Sequence, residues 1–161
     1  MAHQKRGRAP RRPRARNLCR HFEGTVLVGC AQAGLEVLAA ADRSVVVGGS
    51  SVACGVALDR CRQPSEPYAP RWDYVFTKRD TDEAWGIEVH HADADEIEVM
   101  IAKRAWAAAL LGSECPQLQV REWIWIASPP QGEILFSRQH RSARRLAEAG
   151  ISFPIRQLRL P

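Results

Sequence analysis

The chain reads as an α/β protein, a mixed central sheet with helices on its faces. Three observations predict the mixed sheet. Residues 71–91 alternate apolar and polar side chains on either side of a polar turn, the pattern of a β-hairpin. Residues 96–111 are good helix formers throughout, and an apolar stretch at 120–128 follows them. A hairpin joins antiparallel strands and a crossover helix joins parallel ones, so a sheet holding both is mixed.

Taken in order, the first twenty residues carry eight basic side chains and no acid, and residues 1–22 are expected to be a disordered basic arm ahead of a single domain, 23–161. The Ala- and Val-rich stretch that follows predicts a helix at 31–41, a short strand at 44–47 and a second helix at 50–61, capped by Ser50 or Ser51. The GGSS turn ahead of that helix matches neither the P-loop nor the dinucleotide fingerprint, so a flexible turn with a cap is favoured over a phosphate cradle. Three prolines make 63–71 a connector.

In the first hairpin strand Trp72, Tyr74 and Phe76 point one way and Asp73, Val75 and Thr77 the other. In the second, Trp85, Ile87, Val89 and His91 share one face, and Gly86, Glu88 and His90 the opposite one. The apolar faces are expected to pack against helices, leaving the acids on the other side. Asp95 and Glu98 form a D-x-x-E capping box for the long helix, whose core positions are read as Ile97, Ile101, Ala105 and Ala108, with Gly112 as its stop. Residues 120–128 are apolar on both sides, as a buried central strand requires. A helix over 138–150 with a basic face and a final strand complete the chain.

The net charge of +5 divides unevenly: residues 21–161 hold 15 basic and 18 acidic side chains, so the expected folded part is mildly acidic. No apolar run approaches a membrane span, and the arm lacks the hydrophobic region of a secretory signal. Abundant Arg and Ala point to a bacterial, cytoplasmic chain. The five cysteines form no C-x-x-C pair and are expected to be reduced, mostly buried thiols.

Asp73 and Glu88 bring two carboxylates onto adjacent strands, and hard divalent cations bind carboxylate oxygens. The run HHADADE lacks a known zinc spacing, and His91 is expected to face the apolar core. Arg138, Arg141 and Arg145 recur at helical spacing, a pattern suited to nucleic-acid phosphates. The five tryptophans are read mainly as core rather than as base-stacking platforms.

Asp73 in RWDYVF, Glu88-Val89-His90 in GIEVHH and the helix, strand and helix–strand ending that follow resemble the PD-(D/E)XK nuclease-like superfamily over roughly residues 50–160. The resemblance implies that Asp73 and Glu88 hold Mg or Mn and that a lysine orients the attacking water. His90 occupies the lysine position of the motif, and Trp72 stands where its proline is usual. Lys103, the only lysine of the following helix, is the candidate substitute alongside His90. The implied activity is metal-dependent phosphodiester hydrolysis on DNA or RNA. The alternative is a catalytically impaired relative that binds nucleic acid or protein.

Overall fold

The computed structural model describes residues 17–128 and 132–161, and the basic stretch 1–16 lies outside the described residues. A five-stranded mixed sheet organises them. It comprises β1 (Ala31–Ala33), β3 (Val52–Ala57), β4 (Tyr74–Lys78), β5 (Glu83–His90) and β6 (Gln119–Ala127), in the order β1-β3-β4-β5-β6. The first four strands run antiparallel to their neighbours, and β6 lies parallel to β5. The long helix α2 (Ile97–Glu114) makes the crossover between β5 and β6, as the sequence predicts. A separate parallel pair joins β2 (Val46–Gly48) to β7 (Leu158–Leu160). Two short helices, α1 (Leu58–Arg62) and α3 (Ala143–Glu148), complete the fold.

The hairpin and its crossover follow the sequence closely, whereas the region before residue 63 does not. The expected helix over 31–41 is instead β1 followed by turns, with Gly34 at φ +56° and its N–H bonded to the Ala53 carbonyl. The expected helix over 50–61 is mostly β3, buried at every position, and only its last residues turn helical. A strand covered on both faces loses the alternation that reveals a half-exposed one. Gly48 and Gly49 take positive φ and lead into this strand, so the GGSS turn has no helix N-terminus to offer a phosphate.

Residues 17–22, expected within the arm, include a 3-10 turn (Arg20–Phe22) that buries Phe22. Four of the five cysteines are paired, Cys19 with Cys54 and Cys30 with Cys61, which corrects the expectation of reduced thiols. Only Cys115 is free, and burial pushes its thiol up to about 11. The bridges tie the N-terminal segment to β3 and α1, where short 3-10 turns supply little regular hydrogen bonding of their own. Closing loops of 35 and 31 residues stabilises a fold by roughly 3–4 kcal/mol each on the chain-entropy account. Among the described residues no helix is long and apolar enough to cross a membrane.

The sheet has two apolar faces. On one, α2 contributes Ile97, Met100, Ala107 and Leu111 against Val75, Trp123 and Trp125. On the other, Tyr74, Phe76, Trp85 and Ile87 meet Val37, Leu38, Val46 and Leu160. The face bearing the acids is therefore the helix-covered one, the reverse of the expected arrangement. Trp72 precedes β4 and joins the α2 side, edge-on to Trp123 at 5.3 Å, rather than lying with Tyr74 and Phe76. Gly86 completes that side: a Cβ there would come within 2.4 Å of the Trp123 ring, so only glycine fits.

β6 is the last strand of the five-stranded sheet rather than a central one. Its outer edge is covered by the C-terminal segment, through Ser152 N–H to the Trp123 carbonyl (2.8 Å) and Ile155 N–H to the Trp125 carbonyl (3.0 Å). The basic helix expected over 138–150 is shorter, Ala143–Glu148, with turns before it. The helix α2 runs through Gly112 to Glu114. In place of the expected Asp95 cap, Asp93 caps the 3-10 turn Ala94–Glu96 that leads into it, its carboxylate accepting from the Asp95 N–H, and α2 itself has no side-chain cap.

The disulfide pairing has a direct check. Thiol titration of the denatured, unreduced protein should return one reactive thiol per chain, from Cys115; a count of five would contradict the pairing.

Candidate functional site

The hairpin places Asp73 just before β4 and Glu88 near the end of β5, where the antiparallel register sets Tyr74 opposite Ile87. The two acids are then linked through the backbone in a reciprocal pair. The Asp73 N–H donates to Glu88 Oε2 at 2.8 Å, and the Val89 N–H donates to Asp73 Oδ2 at 2.9 Å. Each carboxylate thereby fixes the chain beside the other. Lys103 descends from α2 and donates to Glu88 Oε1.

The reach of Lys103 follows from the face α2 buries. The observed stripe runs Ile97, Met100, Ala107, Leu111 rather than the expected Ile97, Ile101, Ala105, Ala108. Lys103 lies between Met100 and Ala107 on that stripe, three residues after one and four before the other. A lysine there points at the sheet. Nothing in the helix composition distinguishes it from a solvated charge; the stripe that starts at Met100 is the signal that does.

Glu88 is 0% exposed, and with Thr77 it is one of two polar side chains in the core among the described residues. Burial, then the Asp73 charge, raises its pKa to about 8 against the opposing pull of Lys103 and the Asp73 N–H. Burial likewise raises Asp73 to about 6, against the Val89 N–H and Lys103. Although Lys103 touches Glu88, desolvation and the neighbouring acid outweigh it, so the pair holds protons more firmly than ordinary carboxylates. Asp73 Oδ1 has no hydrogen bond among the described residues. Asp73 also lines a small cavity of about 170 Å³ with Asp59, Arg60 and Tyr74, whereas Glu88 does not reach it.

His90 is not part of this cluster's hydrogen bonding. Its Nε2 meets Glu96 Oε2 at 3.0 Å, and burial holds the imidazole below its ordinary range despite that carboxylate. Of the two residues considered for the missing motif lysine, Lys103 makes the contact with the acids and His90 turns aside. His91, expected in the apolar core, is 60% exposed and places Nε2 3.2 Å from Glu96 Oε1. The strand ends at His90, so the alternation that assigned His91 to a face no longer applies.

The candidate phosphate contacts divide. Arg145 is engaged by Glu98 of α2, while Arg138 stacks over the Phe153 ring at 4.5 Å. Arg138 and Arg141 border an open cavity of about 450 Å³, together with Arg144, which sequence reading had not selected. Trp72, Trp123 and Trp125 are buried, and Trp106 donates to Glu66 at 2.8 Å, so these four serve the core rather than base stacking.

Because both carboxylates bind protons more tightly folded than unfolded, their contribution to stability is complete below pH 3.8 for Asp73 and pH 4.5 for Glu88, and is lost as pH rises through about 6 and about 8. In chelator, the melting midpoint should therefore fall between pH 5 and pH 8, and Glu88→Gln should flatten that fall. An unchanged slope in the variant would place Glu88 in an ordinary carboxylate environment.

No protein-family model, curated protein or solved structure matches this chain.

Proposed function

We propose that the Asp73/Glu88/Lys103 cluster is the centre of a nuclease-like site for divalent-metal-dependent phosphodiester hydrolysis on DNA or RNA. The observation that carries this reading is Lys103 reaching Glu88 from the helix that follows the acid-bearing strand. An antiparallel hairpin carrying Asp then Glu, a crossover helix and a parallel strand are also the order on which the PD-(D/E)XK resemblance rests. The donor set suits a hard cation: carboxylate oxygens, one without a hydrogen bond, in a pair whose mutual repulsion a cation relieves.

Asp73 and Glu88 would hold Mg or Mn there. When bound, such a metal lowers the pKa of water and neutralises charge on a phosphodiester. The backbone bonds between Asp73 and Glu88 fix the carboxylates without large side-chain motions, so the pair is preorganised. Lys103 supplies a positive charge at the edge of the pair, placed to orient an attacking water and offset the charge it develops. Arg138, Arg141 and Arg144 offer cations for the nucleic-acid backbone along the cavity they border.

A second reading has its own support. Both Glu88 oxygens are occupied and the side chain is fully buried, an arrangement equally suited to a fold retained for binding nucleic acid or protein without catalysis.

Plasmid DNA, single-stranded DNA and RNA incubated with Mg²⁺ or Mn²⁺ separate the two. Hydrolysis requires cleavage that drops by on the order of 100-fold in Asp73→Asn, Glu88→Gln and Lys103→Met proteins that remain folded. Cleavage unaffected by these substitutions would overturn the site. Absence of cleavage, with binding that weakens in Arg141→Ala and at higher salt, would leave the binding reading in place.

A further inference from the structure

We propose that His90, His91 and Glu96 form a second metal site, distinct from the acid pair, for a borderline transition cation of the Zn²⁺ class. The ligand atoms of these three side chains lie within 4.8 Å of one another. Adjacent residues of a strand point to opposite faces. Here β5 ends at His90 and the chain bends into the turn Ala94–Glu96, which lets both imidazoles aim Nε2 at a single carboxylate. The ring centroids of the two histidines are 4.5 Å apart.

The ligands stand on anchored backbone. The His90 carbonyl accepts from Trp125 Nε1 at 3.2 Å and from the Ser128 N–H at 3.0 Å, and Ala92 bonds to the Leu135 N–H at 2.8 Å. The Glu96 N–H donates to the Asp93 carbonyl at 3.2 Å. Two imidazoles and one carboxylate on such a frame need only a small inward shift to reach the bond lengths of zinc, about 2.0–2.2 Å. Each imidazole loses to the cation only the interaction that Nε2 now makes with Glu96.

Nitrogen donors set the class of ion. Imidazole suits zinc, nickel and copper, whereas Mg²⁺ and Ca²⁺ select oxygen ligands. Three protein ligands leave a coordination position for water or substrate, and exposed His91 opens the site to solvent. The bound ion would also clamp the end of β5 to the turn that starts α2, and so brace the strand that carries Glu88. The site asks nothing of Asp73 or Lys103, so it stands or falls independently of phosphodiester hydrolysis.

Calorimetric titration of the full-length, disulfide-intact protein with ZnCl₂ tests it. The expected result is one tight equivalent, weakened by at least about tenfold in His91→Ala and in Glu96→Gln, and unchanged in Asp73→Asn. Excess Mg²⁺ should not compete. His91 is exposed, so its replacement leaves folding intact as judged by the melting midpoint in chelator. Absence of zinc binding, which is the result for a hydrogen-bonded cluster only, would overturn the proposal. So would zinc binding that survives both substitutions or that disappears in Asp73→Asn.

Discussion

The structure depends on how one buried carboxylate is accommodated. Glu88 sits at 0% exposure in the layer between the sheet and α2, where an isolated charge would cost several kcal/mol. Two donors meet it, the Asp73 N–H from the neighbouring strand edge and the Lys103 ammonium from the crossover helix. Those donors fix the register of the hairpin end and the rotation of the helix at once. The apolar contacts around it, with Trp72 and Trp123 edge to face and Gly86 making room for the indole, pack the same layer without specifying a polar centre. A hydrophobic residue at 88 would pack as well or better on general grounds. A buried acid–lysine pair beside a second acid is thus more readily explained by chemistry than by stability.

The remainder of the molecule serves that centre at a distance. Among the described residues no long helix covers the side of the sheet away from α2; turns between 34 and 45 and the β2–β7 pair do so instead. The disulfides Cys19–Cys54 and Cys30–Cys61 lie with the core on the α2 side, where they staple the 3-10 turns of the N-terminal segment. The staples reach β3, the strand paired to β4, and α1, whose Asp59 lines the cavity at Asp73. Asp59 in turn receives Arg71 at 2.9 Å, so the proline-rich connector is tied to the cavity that Asp73 lines.

What the sequence reveals follows from how strongly each segment is patterned. The hairpin is legible because its apolar residues alternate, α2 because it is a long run of good helix formers, and β6 because Trp and Ile crowd a short apolar run. β3 is not, since VACGVA is small and apolar throughout and its partners on both faces come from distant segments. Asp73 and Glu88 are legible as neighbours from strand parity alone. The part played by Lys103 hinges on which stripe of α2 is buried, and the Ala-rich helix offers several stripes of similar apolarity. His91 shows the opposite failure: alternation is a property of the strand, and the strand ends one residue before it. The disulfides leave no trace in spacing, because the pairing is set by tertiary proximity.

The central claim, that ionised Glu88 is held by Lys103, is tested most directly by a double-mutant cycle on the unfolding free energy. Lys103→Met, Glu88→Gln and the double variant would be compared in chelator at pH 9, above the Glu88 pKa of about 8. The account predicts a coupling greater than about 1 kcal/mol, with the double variant losing much less stability than the sum of the single ones. Additive losses would show that the two side chains do not interact, and would contradict it.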